Sequence, residues 1–562
     1  MRKLVLSLII AVAAVNVSAG TRYIVSTKRP LHSAKIPMVR DAVESQEHEV
    51  RQFVNLDTFA AELTDDEVAA LRRSPEVRYV EEVVERHLLT DGASAGPVAP
   101  NASRYNVEQT IPWGISAIHA PQVWDVARNE KPVNVAILDT GIDATHPDLA
   151  DNYQGGFNAF SPEAQPIDDN GHGSHVAGTI AAANNDFGVV GVAPNTHVWS
   201  IKVLDAFGRG DTEQVEAGLN WVMTQAKIVG GKWIVSLSLG SDFATASERE
   251  AFQRVYDAGI LAVAAAGNKG LGALQFPGGY PTVVGVGAID QNEVRAKFSS
   301  FGSNMGVAGP GVGVLSTSRV GSINVADIQT DTNILFKAYP LKGSPKREVW
   351  APYVYCGLGN PQDFPAEVAG RIAVIQRGCG PDISPVICNF TFNEKVTNAV
   401  NAGAIAAIIF NSPNYDDNLD SWSLIRRDCH DGECNDWQPD LDYPWILATG
   451  MTFADGQKLL NANARTVVES YRIEDYTLLN GTSMATPHVS GTAALIWSLA
   501  PNASARDIRD AIFRGAKDLG TAGYDPYYGY GMVDAFNAAK IIAPQKFGLP
   551  TAPAVPKRRP NT

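Results

Sequence analysis

A three-layer α/β fold, with a mostly parallel sheet covered by helices on both faces, is the architecture this sequence predicts. Three observations carry it. From Pro132 onward, apolar β-rich runs (Val133–Leu138, His197–Val203, Trp233–Leu237, Leu261–Ala266) alternate with helical patterns, as buried parallel strands and their crossovers do. The pattern stops near Ser318 and returns at Tyr476 with a Gly-Thr-Ser turn and an apolar helix from Met484 to Leu499, so a module is inserted within the domain. Ahead of both, Thr21 to Leu89 reads as a small α+β unit. Its parts are strand-like Arg22–Val25, a helix capped at Thr64-Asp65-Asp66-Glu67 and running through Arg72, and strand-like Val77–Glu81.

Composition fits several packed units. At roughly 150 residues per domain, 562 residues suggest three or four. Hydrophobic residues at 45% and charged residues at 19% exclude a disordered chain. With 46 Lys+Arg against 60 Asp+Glu the net charge is −14 and there is no basic stripe, which excludes nucleic acid as a partner class.

Met1-Arg2-Lys3, the apolar run Leu4–Ala14 and the small residues Val17-Ser18-Ala19 predict a secretory signal cleaved after Ala19, and hence a secreted, extracellular protein. The run is too short to span about 30 Å of hydrocarbon and no later segment reaches about 18 apolar residues, so no membrane anchor is expected. All five cysteines (Cys356, Cys379, Cys388, Cys429, Cys434) lie in the inserted stretch, which suggests a stapled module. Cys429 with Cys434 and Cys379 with Cys388 are candidate disulfides that would leave Cys356 free; the odd count leaves the connectivity open. The stretch Asp91–Ser103 reads as a linker, and the Pro-rich, basic tail from Pro544 as an exposed or removable end.

Four segments carry chemistry. Ala136-Ile137-Leu138-Asp139-Thr140-Gly141 puts a carboxylate at the C-terminal end of a buried strand, the edge where open α/β sheets bind ligands. Asn170-Gly171-His172-Gly173-Ser174-His175 opens a helix of small residues with an imidazole, and Gly481-Thr482-Ser483-Met484-Ala485-Thr486-Pro487-His488 opens another with a hydroxyl. A serine needs an adjacent base to become a nucleophile, and the base needs a carboxylate to fix its tautomer. Ala264-Ala265-Ala266-Gly267-Asn268 ends a further strand with an amide that can meet a developing oxyanion. His175 and His488 are read as packing or hydrogen-bonding neighbours.

Together these segments resemble the subtilisin-like serine peptidases, in that family's chain order Asp139, His172, Ser483. The resemblance implies that Asp139 orients, His172 acts as base and then acid, Ser483 attacks, and Asn268 with the Ser483 N–H binds the oxyanion. It further implies that Ser238-Leu239-Gly240 and Gly208-Arg209-Gly210 pair with extended substrate, with Ala265, Ala266 and Gly267 as a wall of the S1 pocket. Lys269 at the rim would then favour neutral or acidic P1 residues. Ala183-Asn184-Asn185-Asp186-Phe187-Gly188-Val189 resembles the family's calcium loop. That implies a structural Ca²⁺ held by the carbonyls of Ala183, Phe187 and Val189 with Asn185, Asp148 and Gln109, and no cofactor for catalysis.

Gly370–Cys379, Phe392–Val396 and Ala402–Asn411 resemble a protease-associated (PA) domain. The leading unit resembles an inhibitory propeptide, with self-cleavage near Leu89. The expected layout is a signal peptide at 1–19, propeptide at 20–89, linker at 90–107 and peptidase domain at 108–318 and 474–543. The PA domain would span 325–468 and the tail 544–562. The implied protein is a secreted, self-processed, monomeric endopeptidase whose partners are protein or peptide substrates and its own propeptide. A restricted processing protease and a non-catalytic binding or adhesion protein are the alternatives.

Overall fold

The structure is a computed structural model. It describes residues 21–33, 36, 50–89, 109–128, 130–378, 391–413, 419, 422, 424, 427–430, 433–436 and 444–550. The signal sequence, the linker, Cys379 with Cys388, and the end of the tail lie outside the described residues.

The central sheet runs in the order Met305–Pro310, Val283–Ile289, Leu261–Ala265, Trp233–Leu237, Asn134–Asp139, His197–Lys202, Tyr153–Asn158. Every neighbouring pair is parallel. Alternate side chains of one strand enter opposite cores. Val135 and Ile137 pack with the helices His172–Ala181 and Thr482–Leu499, whereas Ala136 and Leu138 pack with Thr212–Val229 and Ala246–Asp257. The three layers follow from that alternation. The strand Asn134–Asp139 lies between the third and fourth strands of the sheet in chain order, so the topology reverses beside it and a crevice opens at its C-terminal end.

The leading unit is an antiparallel sheet ordered Arg51–Phe53, Thr58–Leu63, Thr21–Thr27, Val77–Glu82, with the helix Asp65–Arg73. As expected, Thr64 and Glu67 form a reciprocal capping box.

The insert closes into a barrel of the strands Ile323–Thr330, Leu335–Pro340, Leu447–Met451, Ala406–Phe410, Ile372–Gln376, Glu348–Tyr355 and Thr466–Glu474. It is longer at both ends than the expected 325–468, because the departing and returning legs continue their ladder down to Ile323 opposite Glu474. Just below, Val314–Thr317 pairs antiparallel with Tyr476–Leu479, so the whole barrel hangs from the tip of one hairpin. Cys429 stands opposite Cys434 in an antiparallel pair, and Cys356 is buried and free. The described part of the tail, 544–550, is mostly exposed, as expected; Pro544–Phe547 forms a 3₁₀ turn, and half-buried Phe547 packs edge-on against Phe536, centroids 5.6 Å apart.

Candidate active site

Asp139 leaves the sheet at its switch point, fully buried. Its Oδ1 accepts from His172 Nδ1 at 2.7 Å and from the Thr140 N–H at 2.8 Å. His172 is the first residue of its helix, and the turn before it depends on two glycines. Gly171 takes φ +113°, and a Cβ on Gly173 would stand 2.0 Å from the Gly141 carbonyl, where helix and strand end meet. Sequence reasoning missed the residue that fixes this turn. Buried Asp168 accepts from the N–H groups of Asn170, Gly171 and Ser174 and from the hydroxyls of Thr140 and Ser174, tying the imidazole's turn to the carboxylate's. Three free N–H groups at a helix start attract a carboxylate, and an acidic residue just before Asn-Gly-His was the available signal.

Ser483 lies in the first turn of the helix Thr482–Leu499. Pro487 sits four residues later and has no N–H to return to the Ser483 carbonyl. The Ser238 hydroxyl satisfies that carbonyl instead at 2.8 Å, while Ser483 Oγ donates to the Ser238 carbonyl at 2.8 Å. His172 Nε2 is buried without a hydrogen-bond partner.

Asn268 comes from the neighbouring strand end. Its Oδ1 accepts from the Thr482 N–H (2.9 Å) and hydroxyl (2.8 Å), supplying the cap that Gly481 cannot. With its oxygen thus engaged, Nδ2 points into the cleft and donates to the carbonyl of Leu89.

The cleft is filled by the chain itself. The strand Glu85–Leu88 forms the middle of a three-stranded antiparallel sheet. His87 and Leu88 face Gly240 and Leu239, and Glu85, Arg86 and His87 face Asp211, Gly210 and Arg209. The Leu88 N–H donates to Gly208, and the Leu89 N–H to Ser238. Leu89 is buried with its side chain against Gly240. Behind the strand, Glu81 accepts from the N–H groups of Ala246 and Ser247 at a helix start, and Arg22 forks onto Glu213 at 2.7 and 2.8 Å. Ala265, Ala266 and Gly267 lead into Asn268 at this edge, where buried Gln275 covers Ala266 and Gly267. Lys269 corrects an expectation. It is ion-paired with Asp242, which neutralises the rim, so a bias against basic P1 residues has no free cation behind it.

The calcium-loop residues also converge. Gln109 Nε2 lies 2.8 Å from the Ala183 carbonyl, 3.3 Å from Asn185 Oδ1, 3.3 Å from the Phe187 carbonyl and 3.4 Å from the Val189 carbonyl. An amide nitrogen has two hydrogens for these four oxygens; turned over, it would add a fifth oxygen to a set suited to a hard cation. Buried Asp148 stands behind, accepting from Asn185 Nδ2, the Val189 N–H and the Tyr476 hydroxyl, and burial raises its carboxyl above the ordinary value. The residues fit the ion.

His175 and His488 are structural, as expected. Burial pushes them down to about 3 and about 4, and they bond only to backbone carbonyls, of Val314 and Thr477 and of Met484 respectively.

Comparison with known proteins agrees. Residues 130–333 and 414–531 match the Subtilase family, 349–459 the PA domain and 22–89 peptidase inhibitor I9. An alkaline protease of Alkalihalobacillus alcalophilus is 38% identical over 297 residues, 51% of this chain and 71% of the relative. Subtilisin Savinase of Lederbergia lenta is 42% identical over 225 residues, 40% of this chain and 81% of the relative. The crystal structure of the psychrophilic subtilisin-like protease Apa1 from Pseudoalteromonas sp. AS-11 aligns with TM-score 0.51 and 29% identity. That alignment covers 79% of this chain and all of the other. The chain therefore belongs to the subtilase family: it is a subtilisin-like serine endopeptidase with an I9-type inhibitor segment ahead of the catalytic domain and a PA domain within it.

Proposed function

We propose that this endopeptidase is secreted as a zymogen and frees itself by cutting after Leu89, using Ser483, His172, Asp139 and Asn268. In each turnover Ser483 Oγ leaves the Ser238 carbonyl, passes its proton to His172 Nε2 and attacks the peptide carbonyl. Asp139 holds Nδ1–H, keeping Nε2 free as base and stabilising the imidazolium. The oxyanion is met by Asn268 Nδ2 and the Ser483 N–H. The imidazolium then protonates the departing amine, and water hydrolyses the acyl-enzyme through the same base. The observation that carries this reading is the Leu89 carbonyl on Asn268 Nδ2, one residue past a strand held in antiparallel register by both cleft edges. The mature protein should begin at or beyond Thr90, and its casein hydrolysis should vanish with a fluorophosphonate that labels Ser483. An active protein that retains 20–89 covalently joined, or inhibitor-resistant hydrolysis, would refute it.

Export rests on the Met1–Ala19 pattern, and among the described residues no helix is long and apolar enough to cross a membrane. The Cys429–Cys434 disulfide is proposed on their opposed backbone positions. A monomer is proposed as the working form, with the PA domain beside the cleft to influence access of protein substrates.

Calcium is proposed to be held by Gln109, Asp148, Ala183, Asn185, Phe187 and Val189; it would supply charge that ties the loop to the domain and would take no part in the reaction. At about 100 times its dissociation constant such an ion adds about 2.7 kcal/mol to the folded state. EDTA should then lower Tm by roughly 5–8 °C, and Asp148→Ala should remove most of that difference. An unchanged Tm on chelation would reject the site.

A further inference from the structure

The cleft-bound strand shows which enzyme group meets each substrate position. Counting back from Leu89 at P1, Arg86 is P4, and it is fully buried. Its guanidinium forks onto Glu248, also fully buried, with Nη2 to Oε2 at 2.9 Å and Nε to Oε1 at 3.1 Å. Nη1 donates to Ser241 Oγ at 2.6 Å and to the Glu85 carbonyl at 2.9 Å, and Nη2 also donates to the Phe243 carbonyl at 3.1 Å. Apart from the Glu85 carbonyl, these acceptors belong to the catalytic domain.

The catalytic domain's own bonds place the acceptors. Glu248 stands in the first turn of the helix Ala246–Asp257, whose start is capped by Thr245. Ser241 is pinned by a two-way backbone bridge to Phe276, at 3.0 and 2.8 Å. Among the described residues Arg86 is the one cation in ion-pair contact with Glu248. When residues 20–89 depart, a buried carboxylate is left facing a slot of guanidinium shape.

We propose that the mature enzyme has an acidic fourth subsite that selects arginine at P4, with Glu248 as the residue that determines the preference. A neutral P4 side chain leaves the carboxylate without its counter-charge, and an acidic one adds repulsion. Lysine supplies a point charge but cannot reach Glu248, Ser241 and the Phe243 carbonyl in one planar fork. The proposal rests on the reading that Ser483 cuts after Leu89.

The test uses mature enzyme and fluorogenic peptides Glu-X-His-Leu-Leu, with X as Arg, Lys, Gln, Leu or Glu. Arginine should raise kcat/KM at least tenfold over Gln and Leu, with Lys between and Glu lowest. Glu248→Gln should abolish the arginine advantage, bringing kcat/KM for the Arg, Gln and Leu peptides within about twofold of one another. Equal cleavage of the Arg and Leu peptides by wild-type enzyme would overturn the subsite, reducing the Arg86 pair to an anchor of the inhibitor segment. Survival of the preference in Glu248→Gln would overturn the assignment to that residue. If Glu248→Gln fails to mature, the wild-type profile still decides. Cleavage of the Leu peptide separates a failed subsite from a failed peptidase reading; no cleavage of any peptide would overturn both.

Discussion

Ser483→Ala should accumulate as an uncut chain, joined through Leu89–Thr90, in which residues 20–89 still fill the cleft. The carbonyl of Leu89 already lies on Asn268 Nδ2 and its N–H on the Ser238 carbonyl, so alanine removes the attacking oxygen without disturbing the strand that presents the bond. The hydroxyl's described bond, to the Ser238 carbonyl, is lost, but that carbonyl still accepts from the Leu89 N–H, and the helix start stays capped by Asn268. In subtilisin, loss of this serine lowers kcat by roughly 10⁶-fold, and a comparable loss stalls maturation altogether. Mass spectrometry of the purified variant reads the outcome directly. An N-terminus at Thr90 in the variant produced without other peptidases would mean that the cut does not need Ser483 and would overturn self-processing.

Asp139→Asn should lower kcat about 10⁴-fold with little change in KM, the magnitude known for the corresponding change in trypsin. Asp139 Oδ1 takes hydrogen bonds from both His172 Nδ1 and the Thr140 N–H. An asparagine with its oxygen at the Oδ1 place keeps both bonds but brings no charge to stabilise the imidazolium; with its nitrogen there it turns hydrogens toward the imidazole, which then holds its proton on Nε2 and cannot accept one from Ser483. The fold should be retained, because the amide matches the carboxylate in shape and the Asp168 network that sets the histidine turn is untouched. Steady-state kinetics with circular dichroism as control measures this. A loss below tenfold would show that the imidazole does not need this carboxylate.

The reacting groups were legible because each sits in a short local pattern. A carboxylate ends an apolar strand, an imidazole follows Asn-Gly, and a hydroxyl follows Gly-Thr. The capped helix at Thr64 and the strand Trp233–Leu237 were readable for the same reason. The strands Arg51–Phe53 and Thr58–Leu63 escaped, since Thr-Phe-Ala-Ala-Glu-Leu carries neither clean alternation nor β-branched bulk, and its pairing with Thr21–Thr27 supplies the order. Asp168 escaped because three of its five described bonds come from backbone N–H groups, which no side-chain motif reports. The Arg86–Glu248 and Lys269–Asp242 pairs join residues brought together only by the finished fold, so a sequence shows the charges but not their neutralisation.

The hairpin from which the barrel hangs bears on the order of assembly. Pairing of Val314–Thr317 with Tyr476–Leu479 brings the Gly-Thr-Ser turn, which follows directly, to Asn268. Were the intervening chain slack, closing it in place of a four-residue turn would cost about 3 kcal/mol in lost entropy. A finished barrel removes that penalty by holding Ile323 against Glu474. The nucleophile is thus the last part of the machinery to arrive on the ribosome's timetable, after the inhibitor segment and the intervening domain have both been made.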